Sequence, residues 1–222
     1  MQVDFYSIFY YSCLSMAAGM GLFCMKRNSI GFRWLAILVV MTLVSEFTAK
    51  YIAFGLDKPN SIVYHIFTPI EYSIYVIIFN HFIARKKWQK LLKASAIMLV
   101  LFEIINTIYF QPLREANTNV MILESVFLVF LSLLLFLKIR ETPSPTNLLR
   151  EGVFWFNSAV LCYYAFNTLI WGFHNMKVYT FENPPQIMYD FNLILSGLFY
   201  LTFSVALFLN AMTRPSIHKI YG

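Results

Sequence analysis

Seven long apolar runs, separated by short charged or Pro/Asn-containing breaks, constrain this chain more than any other feature. A hydrocarbon core of about 30 Å is crossed by roughly 20 apolar residues in an α-helix. Windows of that size place spans at 5–25, 34–56, 62–83, 91–110, 119–138, 153–174 and 187–211. The breaks between them fall at 26–33, 57–61, 85–90, 111–118, 140–152 and 175–186. Pro59, Pro112, Pro143, Pro145, Pro184 and Pro185 lie in them, where helices end. The expected fold class is therefore all-α: one polytopic membrane domain over residues 1–222 with seven transmembrane helices.

Composition agrees. Only 13% of residues are charged and 59% are hydrophobic, against about 25% charged for a soluble domain that must wet its surface. The apolar length uses up the chain and leaves no stretch for a separate soluble domain. Residues 1–11 lack the basic start of a cleaved signal, so the first run is read as a permanent span.

Lys and Arg set the expected orientation. Lys26, Arg27, Arg33, Arg85, Lys86, Lys87, Lys90, Lys93, Lys138, Arg140, Arg150, Arg214 and Lys219 fall on one side, and only Lys58, Arg114 and Lys177 on the other. Positive loops stay in the cytoplasm, so the N-terminus is expected outside and the C-terminus inside. Trp34, Trp88 and Trp155 sit at the inner ends, the headgroup level that indole prefers. The formal net charge of +6 thus belongs to loops facing the cytoplasm, and no nucleic-acid partner is expected. Cys13, Cys24 and Cys162 have no metal-ligand or CxxC spacing and read as buried free thiols.

Five of the 11 carboxylates lie inside the spans: Glu46, Glu71, Glu103, Glu124 and Asp190, joined there by Lys50 and His65. Ionisable groups in a bilayer cost at least about 2.5–3.5 kcal/mol at its centre, so they face a bundle interior or a wet cavity. With the orientation above, all seven fall in the outer half of their helices. That predicts a single polar pocket opening outward, walled by spans two to seven. Glu46 and Lys50 are four residues apart and are expected to pair. Tyr64, Thr68, Glu71 and Tyr75 form one stripe, with Pro69 beside it, and Glu103, Asn106 and Thr107 form another. Asn157, Tyr164, Asn167, Thr168 and Trp171 line one side of the sixth span. The expected ligand-binding set is Glu46, Lys50, Glu71, Glu103, Asn106, Glu124, Asn167 and Asp190. Tyr64, His65, Thr68, Tyr164, Trp171 and Asn192 are expected to line the pocket further. For Asp190 and His65, near their helix starts, an interfacial position is an equal expectation. Four Glu against one Lys cannot all carry charge in low dielectric; at least one is protonated or strongly hydrated.

Each of the hairpins two-three, four-five and six-seven carries a polar residue on both arms: Glu46 with Glu71, Glu103 with Glu124, Asn167 with Asp190 or Asn192. This outlines three helical hairpins plus one helix. No HExxH, GxSxG, P-loop or GxGxxG occurs, and His65, His81, His174 and His218 are scattered, so neither an enzyme nor a metal or other cofactor is expected. A retinal protein would need a Lys in the last span, and residues 187–211 contain none. Three-plus-one-plus-three sugar transporters match in size, yet the first and last three spans are unlike.

Ile62–Ile78, IVYHIFTPIEYSIYVII, resembles the aromatic-rich helix with a central Glu of small seven-helix bacterial membrane proteins. The same helix type occurs in membrane sensor modules fused to histidine kinases. Phe154–Trp171, FWFNSAVLCYYAFNTLIW, resembles their sixth helix, which opens on an aromatic pair after a basic loop. The resemblance implies a bacterial cytoplasmic (inner) membrane protein with a sensory role. Because the chain stops at Gly222 without a kinase, its output would pass to a membrane or cytoplasmic protein docking on the basic inner loops. The leading expectation is a sensor or binding protein for a small polar or cationic ligand. A small transporter or proton/cation pathway is the alternative, and a membrane subunit or assembly partner of a larger complex is a third.

Overall fold

A computed structural model describes residues 5–83, 86–141, 147–175 and 186–212. The described residues form seven long helices and no strand. These are α1 (Phe5–Cys24), α2 (Ile30–Lys50), α3 (Ser61–Ile83), α4 (Lys86–Tyr109), α5 (Thr118–Glu141), α6 (Gly152–Asn175) and α7 (Gln186–Met212). All seven are long and apolar enough to cross a membrane, and the chain is a multi-pass helical membrane protein. Lys177, Pro143, Pro145, Pro184, Pro185, Arg85, Arg214, His218 and Lys219 lie outside the described residues.

The helices outrun the apolar windows mainly at their basic ends. α2 begins at Ile30 rather than 34, α4 at Lys86 rather than 91, and α5 continues to Glu141 rather than 138. Hydropathy reports the oil-solvated length, whereas backbone hydrogen bonding carries a helix on into the headgroup layer, where Lys and Arg stems lie along it. Arg33 and Lys90 are accordingly helical, not loop residues. At the other end α2 widens into a π-turn, Tyr51–Gly55, followed by Asp57 with a left-handed φ of 51°.

Helix α1 packs most extensively on α7 and also on α2; α2 packs on α3, α3 on α5, α5 on α6, and α6 on α7. Those six helices close a ring. α4 leans on its outside, against α3 and more weakly α5. Of the three hairpins, α2–α3 and α6–α7 pack closely while α4–α5 is splayed. Two glycines allow tight seams: a Cβ on Gly197 would lie 2.3 Å from the Phe9 ring, and one on Gly152 would lie 2.5 Å from the Ala206 carbonyl oxygen.

The ring is filled differently at its two ends. Toward the basic end, Phe32, Phe79, Phe82, Phe156 and Phe203 are all buried and meet with centroids 5.6–6.3 Å apart. Lys138 Nζ donates to the Phe82 carbonyl at 2.6 Å and caps the last turn of α3 beside them. Toward the end that carries the α2–α3, α4–α5 and α6–α7 turns, tyrosines and carboxylates replace phenylalanine. The thiols follow the same geometry: Cys13 and Cys24 are buried, but Cys162 is exposed, because it sits on the outer face of α6, away from the ring interior. The expectation that all three are buried is corrected there.

Candidate functional site

Glu46 of α2 gathers phenol groups from two neighbouring helices. Tyr11 of α1 donates to its Oε2 at 2.9 Å and Tyr64 of α3 to its Oε1 at 3.5 Å. Lys50 does not close a direct ion pair. Its Nζ lies 3.7 Å from the centroid of the Tyr11 ring, so one tyrosine attracts the ammonium by its face and binds the carboxylate through its hydroxyl.

Deeper in the ring, Tyr164 of α6 donates to Glu71 Oε1 of α3 at 3.1 Å. Tyr75 meets Tyr164 edge-on at 5.7 Å, and Tyr163 lies beside Tyr164 at 5.0 Å. The Tyr10 ring lies 4.8 Å from that of Tyr11 and 5.9 Å from that of Tyr200 of α7. Glu46 and Glu71 stand within electrostatic reach of one another. Glu71 and Tyr163 are only partly buried. Asn167, one turn beyond Tyr163, is 8% exposed and its Oδ1 has no hydrogen-bond partner, an unmet acceptor that a bound molecule would satisfy.

No protein family, characterised protein or solved structure matches this chain. What the arrangement can do therefore rests on its own chemistry. Two carboxyl groups and several tyrosines lie close together here, a set that offers acidic groups, hydroxyls and aromatic rings to a polar or cationic molecule.

Other polar residues of the predicted pocket form a second, separate cluster at the turn end of α3, α4 and α5. Glu103 Oε1 accepts from His65 Nδ1 at 2.8 Å and from the Thr107 hydroxyl at 3.0 Å, while its Oε2 accepts from Asn117 Nδ2 at 2.6 Å. His65 Nε2 faces the Glu115 carbonyl at 3.1 Å, so both ring nitrogens meet acceptors. Asn106 donates to Asn117 and Gln111 and accepts from Asn119. Thr118 and Asn119 each bond Asn175 at the end of α6. Ser61 binds the Leu113 carbonyl at 2.6 Å. The bonds to Gln111, Leu113, Glu115 and Asn117 pin the α4–α5 turn, and others tie α4 to α3 and α5 and α5 to α6, so that together they read as a clasp around that turn.

The single predicted pocket thus divides. Glu46, Lys50, Glu71, Tyr64 and Tyr164 come together in the tyrosine chamber. Thr68 lies buried on the same stripe of α3, and Asn167 stands beside Tyr163. Glu103, Asn106 and His65 belong to the clasp, where their bonds leave none of them aimed at a common ligand. Glu124 is buried between the two groups, within electrostatic reach of Glu71 and Glu103, with one carboxyl oxygen unpartnered. Asp190 accepts from Gln186 in the first turn of its own helix at 2.8 Å, and Trp171 packs edge-on against His174. Asn192 is half-buried with its Oδ1 unpartnered. Nor is the wall made from spans two to seven alone: α1 contributes Tyr10 and Tyr11. Those two, with Tyr163 and Tyr200, are the chamber residues that a search for charge passes over. The doublets Tyr10–Tyr11 and Tyr163–Tyr164 are the available signal, since adjacent tyrosines inside a span are too polar to leave to lipid on both faces.

Proposed function

We propose that this chain is a sensory binding protein of a bacterial cytoplasmic membrane, and that its tyrosine–carboxylate chamber takes up a small cation. In this reading the N-terminus and the turn end face outward, as the lysine and arginine distribution favours. The observation that carries the proposal is Glu71. A carboxyl group at mid-helix in a membrane span, partly buried and within electrostatic reach of a second one, is costly unless a cation or water offsets it. A cation held between Glu46 and Glu71 would offset both, and the tyrosine faces would add their own attraction.

The phenylalanine layer between chamber and basic end favours binding over passage, because its five buried rings pack on one another. Occupancy would reach the inner side by changing how α3 and α6 pack, since a ligand shifts a conformational equilibrium only as far as it prefers one state. A partner protein would read that change at the basic inner surface, where Lys26, Arg27, Lys90, Arg140 and Arg150 are exposed.

The test is thermal stability of the detergent-purified protein against monovalent cations and small amines, for wild type and Glu71→Gln. Wild type should be stabilised by at least one class, by about 2.7 kcal/mol at a ligand concentration 100 times Kd, and the variant should not. Identical responses of the two proteins across the whole set would overturn the reading.

A further inference from the structure

The chamber already holds a cation: its own Lys50. The ammonium of that residue is seated on the face of Tyr11 at 3.7 Å, and the hydroxyl of the same tyrosine donates to Glu46 at 2.9 Å. An amine that needed an aromatic face and a nearby carboxylate would find both here, and would find them occupied. Resting on the cation-site reading above, we propose that the ligand is a small organic ammonium compound and that Lys50 is a tethered competitor which it displaces from Tyr11.

The ligand class follows from what the wall offers. A bare metal cation asks for several oxygen ligands at short range; Ca²⁺ takes 6–8. Here the Glu46 oxygens already accept tyrosine hydroxyls, and what lies beside them is the face of the Tyr11 ring on which Lys50 sits. Ring faces attract a large, weakly hydrated alkylammonium well. They supply no lone-pair coordination shell.

Displacement is sterically simple. Lys50 is the last α-helical residue of α2, directly before the π-turn Tyr51–Gly55, where helices commonly carry functional irregularities. Its four-carbon stem can swing toward the turn end without disturbing the helix that positions Glu46. Burying a second cation beside an undisplaced Lys50 would instead set two like charges together in low dielectric.

The experiment is calorimetric titration of tetramethylammonium into the purified protein, for wild type, Lys50→Met, Lys50→Gln and Glu46→Gln. Acylation of Lys50 by an amine-reactive ester is followed alongside by mass spectrometry. Both Lys50 variants should bind about tenfold more tightly than wild type, the scale of one desolvated cation–π contact. Glu46→Gln should bind more weakly, and in wild type the probe should raise Lys50 acylation. If wild type binds but the Lys50 variants are no tighter, or if acylation of Lys50 does not rise, the competitor role is wrong while the chamber reading stands. If neither wild type nor the Lys50 variants bind tetramethylammonium, or any other amine in the stability screen, the chamber reading itself fails.

Discussion

Tyr164 of α6 reaches across the bundle to Glu71 of α3 and donates a hydrogen bond of 3.1 Å. This link is made by side chains alone, between helices whose backbones are held apart by their ring neighbours. It fixes the depth at which the interior changes from phenylalanine to tyrosine and carboxylate.

Tyr164→Phe keeps the ring against Tyr75 and removes the donor. The variant should lose about 0.5–1.5 kcal/mol of stability, the net worth of one hydrogen bond to a partly buried acceptor. It should also bind a small ammonium probe less tightly, because Glu71 is no longer held in position. Unfolding in mixed micelles and calorimetry on the same preparation measure both effects.

His65→Leu separates the clasp from the chamber. Removing His65 leaves the buried Glu103 oxygen without one of its hydrogen-bond partners, 2.8 Å away, and should cost about 1–3 kcal/mol. The α4–α5 turn should open first, seen as faster amide exchange over residues 110–117. Affinity of the chamber for tetramethylammonium should stay within the scatter of wild type.

The seven spans were legible because oil-solvated length is written directly in the composition of each run. The stripe Tyr64–Glu71–Tyr75 was legible too, since helical spacing alone puts those residues on one face. Polar character, though, does not say which polar groups converge. Glu103 and Glu71 look alike as glutamates near one depth, and only the neighbours separate them: Asn117 and the Glu115 carbonyl, both from a turn, claim the region of Glu103 and His65. Tyr10 and Tyr11 were overlooked because α1 carries no described charge. The Glu46–Lys50 spacing suggested a pair, and Tyr11, from another helix, contacts both.

Gly152→Ala tests the α6–α7 seam. Its Cβ would meet a backbone oxygen at 2.5 Å, which cannot rotate away, so the helices must separate at a cost of about 1–3 kcal/mol. Gly19→Ala and Gly172→Ala, where nothing lies within 4 Å, should be neutral or slightly stabilising. Midpoints of thermal unfolding for the three variants rank them.

Orientation is open to direct labelling. In a background lacking Cys13, Cys24 and Cys162, a cysteine at Lys58 or Arg114 should react with an impermeant maleimide on intact cells. One at Lys26 or Arg140 should react only after lysis. The reverse pattern would place the basic end outside and remove the cytoplasmic docking surface.

The most direct measurement is an anomalous diffraction map from crystals grown with tetramethylarsonium, whose arsenic marks the position of a quaternary cation. The account predicts one strong peak inside the ring of helices, between the Glu46 and Glu71 carboxyl groups and against the tyrosine faces. A map with no peak there, or with peaks only among the exposed carboxylates of the loops, would contradict it.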